Sequence, residues 1–593
     1  MLFRSVSQSR YPHYMQFNKS ILVLIVLFLP FLVVAKPISP KDGKHVINIY
    51  ATNDLHGRFF DSTYIDKGVN QSSLSIVSKY LKNERANAKI DPILLELGDN
   101  LQGDNASFFY NYIDTTGRHI LTEIVEYLKY DAVVVGNHDI ETGGKVYNKL
   151  KNELSAPYLA ANAIRTDNGK PYFLPYTIII REGIRIAVIG LTNPNIPSWL
   201  TPSLWKGMEF KKIPETTSYW VNYINQNEKP HIIVVAMHAG IGVESDPNIE
   251  DPALYTASKI KGIDVVFAAH DHKVFNKKVY NGEDSVLVIE AGNRAQNISH
   301  VKITISIEND KVVDKSILGT VINMSGLPAD SDFNRQFRDK YIKVKEFTNK
   351  KIGSITKDIY SRDAFAGPSL YIDLIHKIQL ETTKADISFA SPLNLDVKIN
   401  KGDLNFQDLM NLYPFENQLY VMELTGQEIK DYLELSYDQW ILAPVKPNSK
   451  RLFRIKYNIE RKKYQFEHYF FSFDSAAGII YEVNINKPKG EMINIKSMSN
   501  GESFDLKKTY KVAISSYRAN GGGDLLEKGA GLDSNERAQR VIERMSDIRE
   551  LVYQYFKKHP QVELETINSW KFVPENKAKQ LIQTDFKLLF KNL

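Results

Sequence analysis

Apolar residues in the N-terminal half fall into short runs that stop abruptly at glycine, asparagine, aspartate or histidine. His45 to Tyr50 alternates, while Pro92 to Leu97, Val133 to Val135, Ile184 to Leu191, His231 to Met237 and Ile263 to Ala269 are close to continuous. Such runs, rich in β-branched residues and bounded by turn formers, predict buried strands. Between them, the spacing predicts helices around Leu74 to Asn83 and His119 to Leu128. Past a break at Gly326 to Ser331, Phe337, Tyr341, Val344 and Phe347 stand at helical spacing in a charged run from Asn334 to Thr348. This predicts a connecting helix and a boundary near residue 330. A helix over Leu370 to Thr383 and a strand over Asp386 to Ala390 are expected next. The closing stretch, Asn576 to Leu593, is Lys-rich and amphipathic. It reads as a solvated helix, with membrane binding as the competing reading.

Composition narrows the classes. A chain of 593 residues exceeds one ordinary core and implies several domains. The formal net charge of +6 is spread along the length without a dense Lys/Arg block, so no nucleic-acid polymer is expected as partner. Arg4, Arg10 and Lys19 precede an apolar run from Ile21 to Val34, and Val33-Val34-Ala35 suits cleavage before Lys36. Residues 1–35 therefore read as a secretory signal peptide, with Met15 as a possible alternative start. The run is short for a membrane span and contains Pro30, so no stable anchor is expected after cleavage, and the mature chain is expected in the periplasm or secreted, as a monomer. Cysteine is absent, which excludes disulfides, thiolate catalysis and Cys-based zinc sites. Any metal must be held by His, Asp, Glu or Asn.

The strand ends carry the chemistry. In Ala-Thr-Asn-Asp-Leu-His-Gly (Ala51 to Gly57), extended backbone would point Asp54 and His56 the same way. Gly98-Asp99-Asn100, Gly136-Asn137-His138-Asp139-Ile140-Glu141, His238-Ala239-Gly240 and His270-Asp271-His272 close four further runs. One Asp-x-His is as compatible with a turn cap and a surface imidazole. However, five of the 13 histidines stand at such strand ends, which scatter would rarely produce. Nitrogen and oxygen ligands from five strand ends, with one carboxylate too many for a single tetrahedral site, suggest a two-metal centre. Two cations about 3.5–4 Å apart can share a carboxylate and a hydroxide, which then attacks a phosphate ester in line with its leaving alcohol.

These five blocks together resemble the calcineurin-like metallophosphoesterases, and within them the exported 5'-nucleotidase and 2',3'-cyclic-nucleotide 2'-phosphodiesterase branch. The resemblance implies an α/β fold, a metallophosphoesterase β-sandwich flanked by helices over residues 45–325, then a linker helix at 330–350. A second α+β substrate-specificity domain would occupy 351–560, before a tail at 561–593. By position, Asp54, His56, Asp99 and His272 would hold one divalent metal and Asp99, Asn137, His238 and His270 the other, with Asp99 bridging. Zinc or manganese suits these ligands, and iron is compatible with them. His138 would remain unligated as general acid, oriented by Glu141 where many 5'-nucleotidases have Asp. Asp139 reads as loop support, and Ala269 stands where the family usually has glycine.

In the second half, the block around Phe415 and Ser515 to Asp524 resemble the family's nucleotide-binding domain. Phe415 and Tyr517 would sandwich the nucleobase, with Asn520 and Asp524 beside them, once a domain rotation brings them over the metals. Phe389-Ala-Ser-Pro-Leu-Asn-Leu-Asp stands where many 5'-nucleotidases carry a phosphate-gripping arginine, and is closer to the cyclic-nucleotide phosphodiesterase and 3'-nucleotidase members. Arg518 and Arg362 are candidate replacements. The expected function is hydrolysis of nucleotide phosphoesters in nucleotide catabolism and phosphate salvage. The alternatives are a non-catalytic exported nucleotide-binding protein and a metallohydrolase of a non-nucleotide ester.

Overall fold

Two six-stranded sheets, built from the apolar runs of the first half, pack face to face. In the first, Gly43–Thr52, Ile93–Glu96, Ala132–Val134 and Tyr158–Leu159 run parallel, and the long hairpin Asn297–Glu308 and Lys311–Asn323 pairs antiparallel to the outer side of Gly43–Thr52. In the second, Ile184–Leu191, Ile232–Met237, Val265–Phe267 and Asp284–Ala291 are parallel, with antiparallel edges at Tyr176–Arg181 and Val274–Asn281. This computed structural model describes residues 39–590 apart from 66–67, 283, 416 and 460–461, so the signal peptide expected over 1–35 lies outside the described residues.

Side chains alternate along a strand, and the inward set from both sheets, including Ile47, Leu95, Val134, Val188, Val234 and Val265, forms the layer between them. The outward sets are covered by helices. Leu74–Asn87 and Ile120–Leu128 cover the first sheet, and Ile213–Asn227 and Ala253–Lys259 the second. Parallel strands have their carboxyl ends at one rim, which is how ligand-bearing loops distant in sequence come to meet.

The helix expected over 334–348 is two, Ser331–Gln336 and Arg338–Asn349, broken at Phe337. It is not a free linker: Phe333, Phe337 and Val344 are buried in the outer layer of the first domain. Phe347 reaches across to Phe406 of the second domain, ring centroids 4.6 Å apart, and Phe108 of the first domain meets the same ring at 4.7 Å.

The second domain is built on a five-stranded sheet in the order Ser475–Ala477, Ile387–Ala390, Thr509–Ser515, Gln418–Thr425, Val541–Asp547. Its core centres on Trp440, fully buried at the end of helix Gly426–Trp440. The chain beyond 560 does not stand apart as a tail. Trp570–Val573 pairs parallel with Ile479–Asn484, and Ala578, Leu581 and Ile582 of the closing helix Glu575–Leu589 enter the same core. The amphipathic face noted in the sequence is thus spent on this domain, which removes the reason for the membrane reading. Among the described residues, no helix is long and apolar enough to cross a membrane.

Candidate metal centre and substrate cleft

Five of the strand-end residues leave the strand altogether. Asp54, His56, Asp99, His270 and His272 have φ between 47° and 84°, in the left-handed region. The alternation argument for Asp54 and His56 therefore fails, because both lie beyond the last residue of Gly43–Thr52. Non-glycine residues rarely adopt this conformation, Asp, Asn and His tolerate it best, and such strain gathers at functional sites.

Two glycines let the rims touch. A Cβ on Gly136 would lie 2.2 Å from Asp99 Oδ1, and one on Gly98 would lie 2.6 Å from the Gly136 nitrogen. Gly136 has φ −90°, so close approach and not backbone freedom demands glycine there. Ala269, at the family's glycine position, is outside the positive-φ residues, so its methyl group causes no strain.

The loops are pinned by buried carboxylates. Asp139 accepts from the nitrogens of Gly136 (2.8 Å), Asn100 (3.1 Å), Asp99 (3.2 Å) and Leu101 (3.3 Å), tying two strand ends together. Burial, then the neighbouring Asp99 carboxylate, pushes its pKa up to about 6. Glu96 accepts from the Gly98 nitrogen at 2.8 Å and Asn100 Nδ2 at 2.6 Å.

Around this frame, nitrogen and oxygen atoms converge in two groups, Asp54 with His56 and His272, and Asp99 with His238 and His270. His238 Nδ1 donates to the Leu97 carbonyl at 2.7 Å, so Nε2 is the nitrogen turned to the cluster. That nitrogen faces Asp99 Oδ2 at 3.0 Å and Asp54 Oδ1 at 3.9 Å. His56 Nδ1 lies 3.0 Å from the Gln102 carbonyl, and its Nε2 faces His272 Nε2 at 3.0 Å. His270 Nδ1 lies 2.9 Å from Asn137 Oδ1.

Imidazole nitrogens and carboxylate oxygens crowded together in a buried site are an arrangement that a cation would satisfy. Asp54 Oδ1 and His238 Nε2 are both buried without a hydrogen-bond partner, and a buried polar atom left so is costly. Burial opposes charge on both Asp54 and His238, yet the Asp54 carboxyl is held down to about 2, chiefly by His272 and His238, and His238 is pushed up to about 10, chiefly by Asp99. Burial also brings His56 down to about 4, the neutral form a metal ligand needs. The donor set fits two divalent cations, each held by imidazole and carboxylate, with imidazoles oriented by backbone carbonyls behind them.

His138 stands apart from both groups. Its Nδ1 meets Glu141 Oε2 at 2.5 Å, and its Nε2 looks across to Asp99 Oδ2 at 4.0 Å. Asn137–Glu141 is a single helical turn, which places residues three apart on one face.

One cleft of about 680 Å³ joins His56, His138 and His272 to Phe415 and Asn411 of the second domain. Phe415 is 39 % exposed in it. Tyr517, 41 % exposed, does not line this cleft; it lines a neighbouring cavity with Asp524 and Tyr469. Gly522 packs on the Tyr517 ring, and Asp524 is paired with Lys528 at 2.7 Å. Asn520 sits at the end of the short helix Ser516–Ala519, its nitrogen bonded to the Ser516 carbonyl at 3.0 Å.

Neither candidate arginine is free. Arg518 is buried and bonded to Asp474 at 2.8 Å and to the Gly522 carbonyl at 2.9 Å, and Arg362 pairs with Asp396 at 3.3 Å. Removing one partner of a buried pair strands the other charge. Asp474→Ala is therefore expected to destabilise the second domain by about 3–5 kcal/mol, read as a lowered midpoint in chemical denaturation.

Several contributors had no local signal in the sequence. Glu250 Oε1 lies 3.0 Å from His270 Nε2, and Trp199 stacks on the His270 ring at 5.3 Å. Asn293 Nδ2 lies 2.9 Å from His272 Nδ1, and Asn53 Nδ2 donates to Asp54 Oδ2 at 2.8 Å.

Comparison with known families agrees with this architecture. The family model for calcineurin-like phosphoesterases matches residues 47–274, and that for the 5'-nucleotidase C-terminal domain matches 351–528. A 2',3'-cyclic-nucleotide 2'-phosphodiesterase/3'-nucleotidase of Yersinia enterocolitica is 24% identical over 90% of this chain and 89% of its own length. A 5'-nucleotidase of Vibrio cholerae is 23% identical over 66% of this chain and 76% of its own. Among solved structures, a Staphylococcus aureus protein described as a 5'-nucleotidase superposes with a TM-score of 0.72 at 19% identity, covering 89% of this chain and all of that one, a likeness of fold.

Proposed function

Since the chain belongs to the calcineurin-like phosphoesterases that carry a 5'-nucleotidase C-terminal domain, a family of metal-dependent phosphoric ester hydrolases, we propose that it is an exported dinuclear enzyme that releases phosphate or nucleosides from small nucleotides. The observation that carries this reading is the convergence of two sets of imidazole and carboxylate donors beside a histidine outside both sets that is held by a carboxylate.

Asp54, His56, Asp99 and His272 would hold one metal, and Asp99, Asn137, His238 and His270 the other. Two divalent ions at such a centre supply charge neutralisation at phosphorus and a water acidic enough to attack near neutral pH. His138 then serves the leaving oxygen. Its Nδ1 is engaged by Glu141, so Nε2 is the nitrogen that faces the reacting groups and delivers a proton as the ester bond breaks. Glu141 orients the ring and stabilises its charged form, as carboxylates do behind catalytic imidazoles. Phe415, on the second-domain side of the cleft, offers its face to the base.

The test is a panel of 5'-AMP, 3'-AMP and 2',3'-cyclic AMP assayed with zinc, manganese and magnesium. At least one is expected to turn over, and the panel separates monoester from cyclic-diester preference. Hydrolysis of bis(p-nitrophenyl) phosphate with none of the three would overturn the nucleotide reading. Loss of a base stack costs about 1–3 kcal/mol. Phe415→Ala is therefore expected to raise KM for the preferred nucleotide about tenfold more than KM for glycerol 2-phosphate, as read from initial rates.

A further inference from the structure

The His270 ring is held from three sides, and one of those contacts has no part in the proposed ligand sets. Nδ1 stands beside Asn137 Oδ1, and Trp199 lies against the ring face with 21° between the planes. The other ring nitrogen, Nε2, meets Glu250 Oε1 at 3.0 Å.

Close backbone packing brings Glu250 there. The strand Ile232–Met237 runs into His238-Ala239-Gly240-Ile241-Gly242, and residues 248–252 lie as a strap on that loop. A Cβ on Gly242 would stand 1.7 Å from the Asp251 carbonyl oxygen and one on Gly240 2.1 Å from Asp251 Oδ1, so a side chain at either position would displace the strap. The Glu250 carbonyl accepts from the Gly240 nitrogen at 3.2 Å and from Asn193 Nδ2 at 3.1 Å, and the Glu250 nitrogen donates to Asn248 Oδ1 at 2.8 Å. The strand end at Thr192-Asn193, which contributes no residue to either donor group, thus fastens the strap.

The Glu250 carboxylate has no Lys or Arg partner among the described residues, and its ion pair is with His270. Like charges stand beside it: burial, then Glu250, push the Asp251 carboxyl up, and Asp271 adds to this. A carboxylate kept among carboxylates is costly unless positive charge opposes it. The other imidazoles of the cluster have neutral groups behind them, the Gln102 and Leu97 carbonyls for His56 and His238 and the Asn293 amide for His272. His270 differs from them in having a carboxylate.

We infer that Glu250 is a positioning residue for the second metal: it accepts the Nε2 hydrogen of His270, so that Nδ1, on the side of Asn137, is the nitrogen left to bind, and it makes that nitrogen a stronger donor. This rests on the reading in which His270 holds a divalent ion. A carboxylate behind a ligating imidazole fixes its tautomer and orientation and raises its basicity. The Trp199 stack limits the tilt of the ring but does not choose between its nitrogens. Glu250, an acceptor only, makes that choice.

The experiment titrates the full chain, stripped of metal, with Mn²⁺ and with Zn²⁺ in competition with a chromophoric chelator, unaltered and as Glu250→Ala and Glu250→Gln. Glu250→Ala is expected to weaken one of the two metal equivalents roughly 10–100-fold and to leave the other unchanged. The Glu250 side chain is 42 % exposed, so its removal opens no cavity and the thermal unfolding midpoint of the metal-free chain should not move. Glu250→Gln, whose amide oxygen still accepts from Nε2, should recover part of the affinity. Equal loss at both equivalents, no loss at either, or a Glu250→Gln variant as weak as Glu250→Ala overturns the inference. Turnover of the nucleotide panel separates it from the enzymatic reading. Selective weakening of one equivalent in a chain that hydrolyses none of the nucleotides keeps this role for Glu250 and removes that reading, whereas hydrolysis with unaltered affinities removes the role alone. A chain that takes up no metal removes both.

Discussion

Replacing Asp99 with alanine is expected to abolish hydrolysis of nucleotides and of bis(p-nitrophenyl) phosphate, with turnover falling roughly a thousandfold or more. The Asp99 carboxylate is where the site's interactions cross. Its Oδ2 faces His238 Nε2 at 3.0 Å and its Oδ1 accepts from the His138 nitrogen at 2.8 Å. Burial opposes its ionisation, yet His238 and His138 hold it well below the ordinary carboxylate range. The loop should survive the change, because Asp139 holds the Asp99 backbone nitrogen at 3.2 Å and is untouched. Alanine tolerates φ 59° less well than asparagine, so Asp99→Asn is the control that removes the charge while keeping the backbone preference. Metal content by mass spectrometry, turnover and thermal unfolding are measured together. Full activity, or an undiminished complement of two metals, in a folded Asp99→Ala would refute the bridging role.

His138→Ala separates chemistry from metal binding. Loss of a general acid costs about 10²–10⁴ in rate, so turnover is expected to fall in that range while both metals stay bound. The ring belongs to neither donor group, and its two nitrogens are committed to Glu141 and to the open side of the cluster. Loss of one metal equivalent would show that His138 is a ligand. Glu141→Gln should reproduce part of the defect, since the amide keeps the contact and removes the charge that supports the imidazolium. Glu141→Asp asks what the extra methylene does. In the helical turn Asn137–Glu141 the longer arm reaches Nδ1 from one turn away. A shorter acid is expected to lower kcat and leave KM near its original value, read from steady-state rates on the preferred nucleotide. A change in the ratio of cyclic-diester to monoester hydrolysis would tie this position to substrate choice.

The strand-end residues were legible because two constraints act on them at once. A buried strand must be apolar along its length, and its end must turn, so a polar cluster directly after Val133 to Val135 or Ile232 to Met237 is conspicuous. The roles proposed for His138 and Glu141 rest on family resemblance, since nothing in the string Asn-His-Asp-Ile-Glu distinguishes a turn from the helical turn that forms. The alternation argument for Asp54 and His56 failed for a physical reason: the ladder ends at Thr52, and beyond it the backbone is set by contacts with the Gly98 and Asp99 carbonyls, not by pleating. Tyr517 and Arg518 illustrate the opposite case. Adjacent in a motif, one is exposed beside Asp524 and the other is buried against Asp474, 44 residues away in the chain.

By itself, the sequence determined the strands, the residue types at their ends and the absence of thiol chemistry. These follow from local composition and periodicity, which act over a few residues. Only the tertiary structure decided which ends meet, since His56 and His272 are separated by 216 positions. It also decided that Glu250 backs His270 and that the closing helix belongs to the second core. These depend on how two sheets and two domains pack, a balance of burial and close backbone approach at Gly98 and Gly136 to which no single stretch of chain is privy.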